Sequence, residues 1–193
     1  MWKIEGETLI ETLEQVQKNN YLKVKEKMME FLNQEILGVP GYTSCIGSGS
    51  LMPKYVFIGQ NPGHKIPHGY KAFSGEEVEG AGLRSAGTVL SANLMKAQIS
   101  KDDCYFTNLV KSTTENNQQP DIDSTIFWTP FLLKELDILL AGNSNCKIIA
   151  MGNWVDENLK IKHRKIPHPS AVLYGFNEGD FRRELDHATS SNN

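Results

Sequence analysis

Three short segments of the sequence carry the side chains best suited to chemistry. They are Gly59-Gln-Asn-Pro-Gly63, Thr107-Asn-Leu-Val-Lys111 and His168-Pro-Ser170. Gln60 and Asn61 offer amide donors and acceptors beside two glycines, which let a ligand approach the backbone closely. Asn108 could read the edge of a nucleobase, because that task needs a group that both donates and accepts. His168 precedes a proline, which holds its ring as a fixed donor or acceptor.

Each segment taken alone also has an ordinary structural explanation. The first could be a strand-to-loop turn, Asn108 could cap a loop, and His168 could lie on a solvated surface. The first segment is not a phosphate-binding P-loop, because no Gly-Lys-Ser/Thr follows it. It does not match Gly-x-Gly-x-x-Gly either.

A dense basic run precedes His168. Its members are Lys160, Lys162, Arg164 and Lys165. Such a run is usually a solvated face, but its position next to the histidine also suits contacts to phosphate groups. We therefore expect this run to lie against nucleic acid.

Apolar runs that contain or precede these segments predict buried strands. Strands are expected at residues 55–58, 104–110 and 147–151, with a fourth strand or a loop within 160–169. They alternate with helical patterns and lack period-two alternation, which favours a parallel or mixed sheet covered on both faces. The predicted fold is an α/β three-layer sandwich with a central, mostly parallel four-stranded sheet, preceded by N-terminal helices. Ligands of such folds bind beyond the carboxyl ends of the strands.

The helical patterns place the remaining elements. Helices are expected over 5–37, with a break at Asn19-Asn20, and over 83–98, 124–140, 153–159 and 181–187. Ser124 is a candidate N-cap for the helix over 124–140. We expect residues 1–187 to form one domain, with 1–37 as a helical extension and 188–193 as a disordered tail.

Composition limits the class of protein. The 193 residues carry 20 Lys and Arg against 23 Asp and Glu, a net charge of −3, so any contact with DNA must come from a local patch. No apolar run approaches the roughly 20 residues of a membrane span, and acids stand where a signal peptide would be apolar. Cys45, Cys104 and Cys146 are far apart, which disfavours a disulfide framework or a metal cluster. We expect a monomeric, cytoplasmic protein with no cofactor, no metal and no membrane partner.

In this order and spacing, the segments resemble the uracil-DNA glycosylase superfamily over roughly residues 50–176. Thr107–Lys111, the Leu-rich helix after it and the strand KIIAMG are most similar to the branch called family 4. Phe73-Ser-Gly75 and Ser85-Ala-Gly87 also resemble motifs of that branch, separated here by an insertion. The resemblance implies a monofunctional DNA glycosylase, which flips uracil or a C5-modified pyrimidine out of DNA and hydrolyses its N-glycosidic bond.

The resemblance also implies roles for individual residues. Asn61 would hold the hydrolytic water, as in the branches with a GxNPG first motif, whereas family 4 usually has Glu-Ala where this chain has Gln60-Asn61. His168 would hydrogen-bond the base O2 as negative charge gathers there. Phe73 would stack on the flipped base and Asn108 would read its edge. The full substrate-binding set is Gln60, Gly63, Phe73 and Asn108. The residues expected to contact DNA are Lys111, Lys162, Arg164, Lys165, Ser170 and Leu173.

Two departures from the pattern modify these expectations. Ser112 follows Lys111 where family 4 usually has a cysteine that ligates an iron–sulfur cluster, and Cys45 would be a lone remnant of its N-terminal pair. We therefore expect no cluster. Gly63 stands where the uracil-restricted branch has a tyrosine that blocks substituents at C5 of the base. The pocket is therefore expected to admit C5-substituted pyrimidines.

Two other classes of function stay open at this point. A catalytically weak relative could bind DNA or a flipped modified base without cleaving it, although Asn61 and His168 are both present. A nucleotide or nucleoside hydrolase on a similar fold would need neither the basic run at 160–165 nor a wedge at Val172-Leu173. Steep salt dependence of activity on DNA would oppose a hydrolase of free nucleotides.

Overall fold

A five-stranded sheet in the order β1-β3-β2-β4-β5 forms the centre of the protein. The computed structural model describes residues 3–39, 44–64, 66–73 and 85–190, with side chains from Gln15 onward. The strands are β1 (Ser48–Gly49), β2 (Tyr55–Gly59), β3 (Cys104–Asn108), β4 (Lys147–Met151) and β5 (Arg164–Ile166). Strand β2 is parallel to β3 and β4, and β4 is parallel to β5, so the four predicted strands form a parallel sheet.

A fifth strand makes the sheet mixed rather than purely parallel. The two-residue β1 pairs antiparallel with β3, at residues that none of the predicted strands and helices includes. Gly49 has φ +119°, a conformation that glycine adopts without strain, and a Cβ there would lie 2.3 Å from Cys104 O. A strand of two residues is too short to produce a detectable hydrophobic period.

Helices cover both faces of the sheet and make three layers. Within the described residues they are α1 (Lys3–Phe31), α2 (Ala86–Lys96), α3 (Ile122–Gly142), α4 (Asn153–Asn158), α5 (Ser170–Leu173) and α6 (Glu178–Thr189). Val56 and Ile58 of β2 pack in one core with α1 and α3, whereas Phe57 packs in the other with α2 and α6. Burial on both faces explains why the strands are apolar without period-two alternation.

Helix α1 is continuous through Asn19 and Asn20, so the predicted break there is wrong. Both side chains are exposed, and asparagine in an exposed helix costs only about 0.7 kcal/mol relative to alanine. Packing of the second half of α1 outweighs this cost. The residues buried there are Val24, Met28 and Phe31. A π-helical turn, Leu32–Ile36, follows α1.

The ends of α3 and α6 also differ from the predictions. The N-cap of α3 is Asp121 rather than Ser124, since the Asp121 carboxylate accepts from Ser124 N at 2.7 Å. Helix α6 continues to Thr189, whose hydroxyl donates to Leu185 O at 2.9 Å. Ala188 and Thr189 are therefore buried helical residues rather than part of a disordered tail.

Parts of some predicted elements lie outside the described residues. Helix α2 begins at Ala86 with Ser85 as its N-cap. Residues 83 and 84 of the predicted helix lie outside the described residues. Residues 191–193 of the predicted tail lie outside them as well. No helix in the described ranges is long and apolar enough to cross a membrane.

Candidate active site

The carboxyl ends of β2 and β3 lie side by side and bring two of the three segments together. Gly59 pairs with Asn108, the last residue of its strand. Beyond this pair, Leu109 N donates to Gly59 O at 2.8 Å, and Val110 N donates to Gln60 O at 2.9 Å. The first loop and Asn108, the residue predicted to read the base, therefore share one edge of the sheet.

Gly59 lies between Asn108 and Phe73 at distances that leave no room for a side chain. A Cβ atom at Gly59 would lie 2.6 Å from Asn108 Oδ1 and 2.6 Å from Phe73 Cζ. Both distances are far below van der Waals contact, so glycine lets the amide and the aromatic ring approach each other. The residues that the sequence assigned to reading and stacking a base are therefore neighbours.

The backbone and two neighbouring rings hold Phe73. Its φ is 59°, a left-handed conformation that is uncommon for an aromatic residue and is found where the surroundings enforce it. Its ring centroid lies 6.4 Å from that of Phe106 and 6.4 Å from that of His168. Gly87 supports the same residue, because a Cβ there would lie 2.4 Å from Phe73 O. Phe73 thus links the first loop to the histidine segment.

The tautomer of His168 follows from its contacts. Ser170 N, which can only donate, lies 3.3 Å from Nδ1, and Ser170 Oγ lies 2.7 Å from the same atom. Burial lowers the pKa of His168, so the ring is neutral near pH 7. A neutral ring that accepts at Nδ1 carries its proton on Nε2. Nε2–H is therefore a donor held in a fixed ring.

Thr114 orients the amide of Asn61. Asn61 Nδ2 donates to Thr114 Oγ1 at 3.0 Å and to Pro62 O at 3.1 Å. The Thr114 hydroxyl donates its hydrogen bond to Gln118 O at 2.5 Å, so it can only accept a hydrogen bond from Asn61. This polarity leaves Oδ1 of Asn61 as the acceptor, which is what a bound water needs when it donates.

The space beside Gly63 is open. Among the described residues, a Cβ there would contact Asn117 Oδ1 at 3.8 Å and Ile66 Cγ1 at 3.9 Å, both ordinary distances. Asn117 Oδ1 is held in place because it accepts from His64 N at 2.8 Å. A larger side chain at position 63 would therefore start from unstrained backbone.

Thr114 and Gly152 contribute to the site but were missed in the sequence. Thr114 lies in a polar loop with no periodicity, so nothing marks it as the partner of Asn61. Gly152 was predicted only as the end of a strand. It has φ +93°, and a Cβ there would lie 3.2 Å from His168 Cβ, so glycine permits the histidine segment to pass close to β4. Glycine at a strand end was the available signal.

Comparison with known proteins decides the family. A family model described as the uracil DNA glycosylase superfamily matches residues 46–188, which include all three segments. The chain belongs to the uracil-DNA glycosylase superfamily.

Relatives of this superfamily member agree with the resemblance to family 4. The chain is 26% identical over 125 residues to the type-4 uracil-DNA glycosylase of Thermotoga maritima, covering 60% of this chain and 59% of the relative. It is 26% identical over 166 residues to the type-4 enzyme of Saccharolobus solfataricus, with 71% and 72% covered. The type-4 enzyme of Sulfurisphaera tokodaii is 24% identical over 166 residues, with 71% of each covered. The chain thus spans about three-fifths of the length of the Thermotoga relative.

Two cations that were predicted to contact DNA are engaged inside this superfamily member. Lys111 is 0% exposed, and its Nζ lies 2.5 Å from Glu135 Oε2. Arg164 Nη1 donates at 3.0–3.1 Å to carbonyl oxygens at the end of α6. These oxygens belong to His187, Ala188 and Ser190. The assignment of Lys111 is wrong, because its amine is buried against a carboxylate that the sequence does not reveal as its partner. Arg164 is half-buried and binds a helix C-terminus, so its contact with DNA stays a prediction.

The basic run enters β5 at its amino end, whereas the candidate site lies at the carboxyl ends of the strands. The carbonyl oxygens that Arg164 binds also lie at the amino end of the sheet, because Tyr55 at the start of β2 donates its OH to the neighbouring Thr189 O. Lys162 and Lys165 are exposed. Their contact with DNA stays a prediction.

The short helix α5 follows His168 and presents apolar side chains to solvent. Leu173 is 37% exposed and Tyr174 is 87% exposed. Gly175, with φ +99°, ends this segment in a conformation suited to glycine. An exposed apolar tip suits insertion between bases, but the DNA contacts of Leu173 and Ser170 remain predictions.

The cysteines do not fit the iron–sulfur cluster of family 4. The chain has three cysteines, and such a cluster takes four thiolates. Cys45 N bonds to Lys111 O beyond the carboxyl end of β3, whereas Cys104 begins β3 and Cys146 precedes β4, at the opposite end of the sheet. Burial raises the pKa of Cys45 to about 12, which keeps its thiol protonated. Within the described ranges, no group of three or more His, Cys, Asp or Glu could hold a metal.

Proposed function

We propose that this chain is a monofunctional DNA glycosylase that removes uracil from DNA. The observation that carries the proposal is the position of Phe73, whose ring meets Asn108 at Gly59 and lies beside the ring of His168. These groups supply a stacking face, a base-reading amide and a fixed donor, which are the requirements for holding a flipped base. Membership of the superfamily and the names of the relatives support the same activity.

The proposed reaction hydrolyses the bond between the sugar C1′ and the base N1. The electron pair of that bond leaves with the base, the oxygen of a water bonds to C1′, and the water's proton returns to the base. Nε2–H of His168 would donate to the base O2 as negative charge gathers there, which lowers the barrier without a proton transfer. Asn61 Oδ1 would accept a hydrogen bond from the attacking water.

Direct attack by water, rather than by a lysine, is supported by the state of Lys111. A bifunctional glycosylase needs a free amine to attack the sugar, and a lysine gains nucleophilic character only when its amine loses its proton. Lys111 is the lysine closest in sequence to Asn108, and it is buried in an ion pair with Glu135. An amine buried in this way has no access to the sugar of a bound nucleotide.

We extend the proposal to pyrimidines that carry a substituent at C5. The space beside Gly63 supports this selectivity, because a Cβ there would meet Asn117 Oδ1 and Ile66 Cγ1 of the described residues at ordinary contact distances, 3.8 and 3.9 Å. Gly63→Tyr is expected to lower release of thymine or 5-hydroxymethyluracil at least about 10-fold relative to uracil, by filling that space. Gly63→Ala is the matched control and should keep the wild-type ratio. An unchanged ratio in the tyrosine variant would contradict the C5 proposal.

The activity is tested by direct detection of the released base. Single- and double-stranded oligonucleotides with one uracil are incubated with the protein, and the free base and the strand are analysed separately. The proposal expects free uracil from a strand that stays intact until alkali is added. Strand cleavage without alkali would contradict a monofunctional mechanism. DNA binding with no release of any base would favour a binding protein instead.

A further inference from the structure

A polar cluster is buried behind the candidate site and has no part in the proposed reaction. Its members, here called the Lys111–Glu135 cluster, are Tyr105, Thr107, Lys111 and Glu135. None of the four is more than 1% exposed. Taking two charges out of water is costly, and apolar residues of similar volume are often as stable at such a place. The cluster is therefore a candidate for a role other than stability.

Among the described residues, the hydrogen-bond partners of Glu135 come from the stretch of chain that contains Asn108. Glu135 Oε2 accepts from Lys111 Nζ at 2.5 Å and from Thr107 Oγ1 at 2.8 Å. Oε1 accepts from Tyr105 OH at 2.8 Å, and burial with the nearby carboxylate keeps the pKa of Tyr105 high, so the phenol stays a donor. Thr107 and Lys111 lie on either side of Asn108 in the chain. One carboxylate on α3 thus fixes both flanks of the base-reading residue.

The cluster also reaches Phe73, through the segment 44–47. Cys45 N donates to Lys111 O at 2.6 Å, and Ala72 N donates to Ile46 O at 2.7 Å. Gly47 lies against the carboxylate, since a Cβ there would be 2.2 Å from Glu135 Oε1. Phe73 directly follows Ala72. The same buried pair therefore supports both the reading and the stacking side chain.

We propose that Lys111 and Glu135 are positioning residues that set Asn108 and Phe73 relative to each other and thereby the preference for uracil over cytosine. The inference rests on the proposed function. Uracil and cytosine present opposite donor and acceptor patterns at position 4 and N3, so an amide distinguishes them only when its orientation is fixed. A directional ion pair with two additional hydrogen bonds to the same carboxylate fixes orientation, whereas an apolar pair of equal volume does not.

The test replaces the pair without leaving an unpaired charge. Lys111→Met/Glu135→Leu leaves no buried charge but removes the acceptor of the Tyr105 and Thr107 hydroxyls, so its melting temperature should fall. Its single-turnover rate on uracil should fall about 10- to 100-fold, because small displacements at a reacting site have effects of that size. Its preference for uracil over cytosine should shrink. Amide hydrogen exchange should increase at residues 70–73 and 105–112, while α6 keeps its protection.

Two further variants keep the test decisive. Leu185→Ala, on the opposite face of the sheet, should lower the melting temperature but leave the base preference unchanged. Lys111→Met/Glu135→Gln keeps an acceptor oxygen for one of the two hydroxyls and offers an amide N–H to the other, so it should recover part of the preference. It replaces the first variant if that one does not fold.

Two results would overturn the inference. One is a wild-type base preference and wild-type exchange in the double variants. The other is an equal loss of preference in Leu185→Ala. If the wild type releases no base at all, the proposed function fails, and the exchange measurement alone decides whether the pair positions this stretch.

Discussion

Hydroxyl-bearing neighbours, Thr114 and Ser170, hold the two groups proposed to act in catalysis. The Thr114 hydroxyl donates a hydrogen bond to Gln118 O and accepts one from Nδ2 of Asn61, which leaves Oδ1 of Asn61 as the acceptor. The backbone of Ser170 donates to Nδ1 of His168 and so leaves the proton on Nε2. The acceptor and the donor that a water and a base would meet are therefore set by residues next to Asn61 and His168.

Gly59→Ala tests whether close approach of Asn108 and Phe73 is required. The new methyl group would displace both side chains, because each lies 2.6 Å from its position. We expect base release to fall about 100-fold and the free energy of unfolding to fall by about 1–3 kcal/mol. Gly63→Ala adds the same group in open space and should behave like the wild type. Wild-type release by the Gly59 variant would contradict the arrangement.

The neutral state of His168 should appear in the pH dependence of stability. Its pKa is lowered from 6.5 in the folded protein, so the unfolded chain binds a proton first as the pH falls. The stability linked to neutral His168 is full above 6.5 and is lost as the pH falls toward the folded pKa. In urea unfolding at about pH 7.5 and about pH 5, His168→Gln should lose less stability than the wild type. His187→Gln, at an exposed position, should match the wild type. Equal losses in all three would refute the assignment.

At the scale of secondary-structure elements, the ends of helices account for groups that looked functional in the sequence. Arg164 binds the last carbonyl oxygens of α6, which have no partner inside the helix. At the other type of helix end, Asp121 rather than Ser124 is the N-cap of α3, because its carboxylate accepts from a free N–H of the first turn. Part of the basic run thus belongs to the architecture of α6.

Arg164→Met separates the structural role of this residue from a role in DNA binding. We expect the free energy of unfolding to fall by about 1–2 kcal/mol, because three hydrogen bonds to a helix end are lost. Affinity for a uracil-containing duplex, measured by fluorescence anisotropy, should stay at the wild-type value. Lys162→Met is the control for removal of an exposed charge from the same run. Weaker binding with unchanged stability would support the predicted contact of Arg164 with DNA instead.

On the scale of the whole molecule, the sequence predicted what depends on local pattern. Apolar strands without alternation predicted a sheet covered on both faces, and glycine at strand ends marked where the segments would meet. The pairing of Lys111 with Glu135 could not be predicted from the sequence, because it joins residues 24 apart through the packing of α3. Helix α1 passes Asn19 and Asn20 for a related reason, since tertiary burial outweighs a small local preference.

The proposed activity of the molecule depends on Asn61 and His168, and one assay tests their roles directly. Labelled single- and double-stranded oligonucleotides with one uracil are treated with protein and then with alkali, and strand nicking is measured. We expect nicking by the wild type, a loss of about 10²–10³ in rate for His168→Ala, and a large loss for Asn61→Ala. His187→Ala should retain the wild-type rate. Nicking at wild-type rate by both site variants, or none by the wild type on either substrate, would contradict the account.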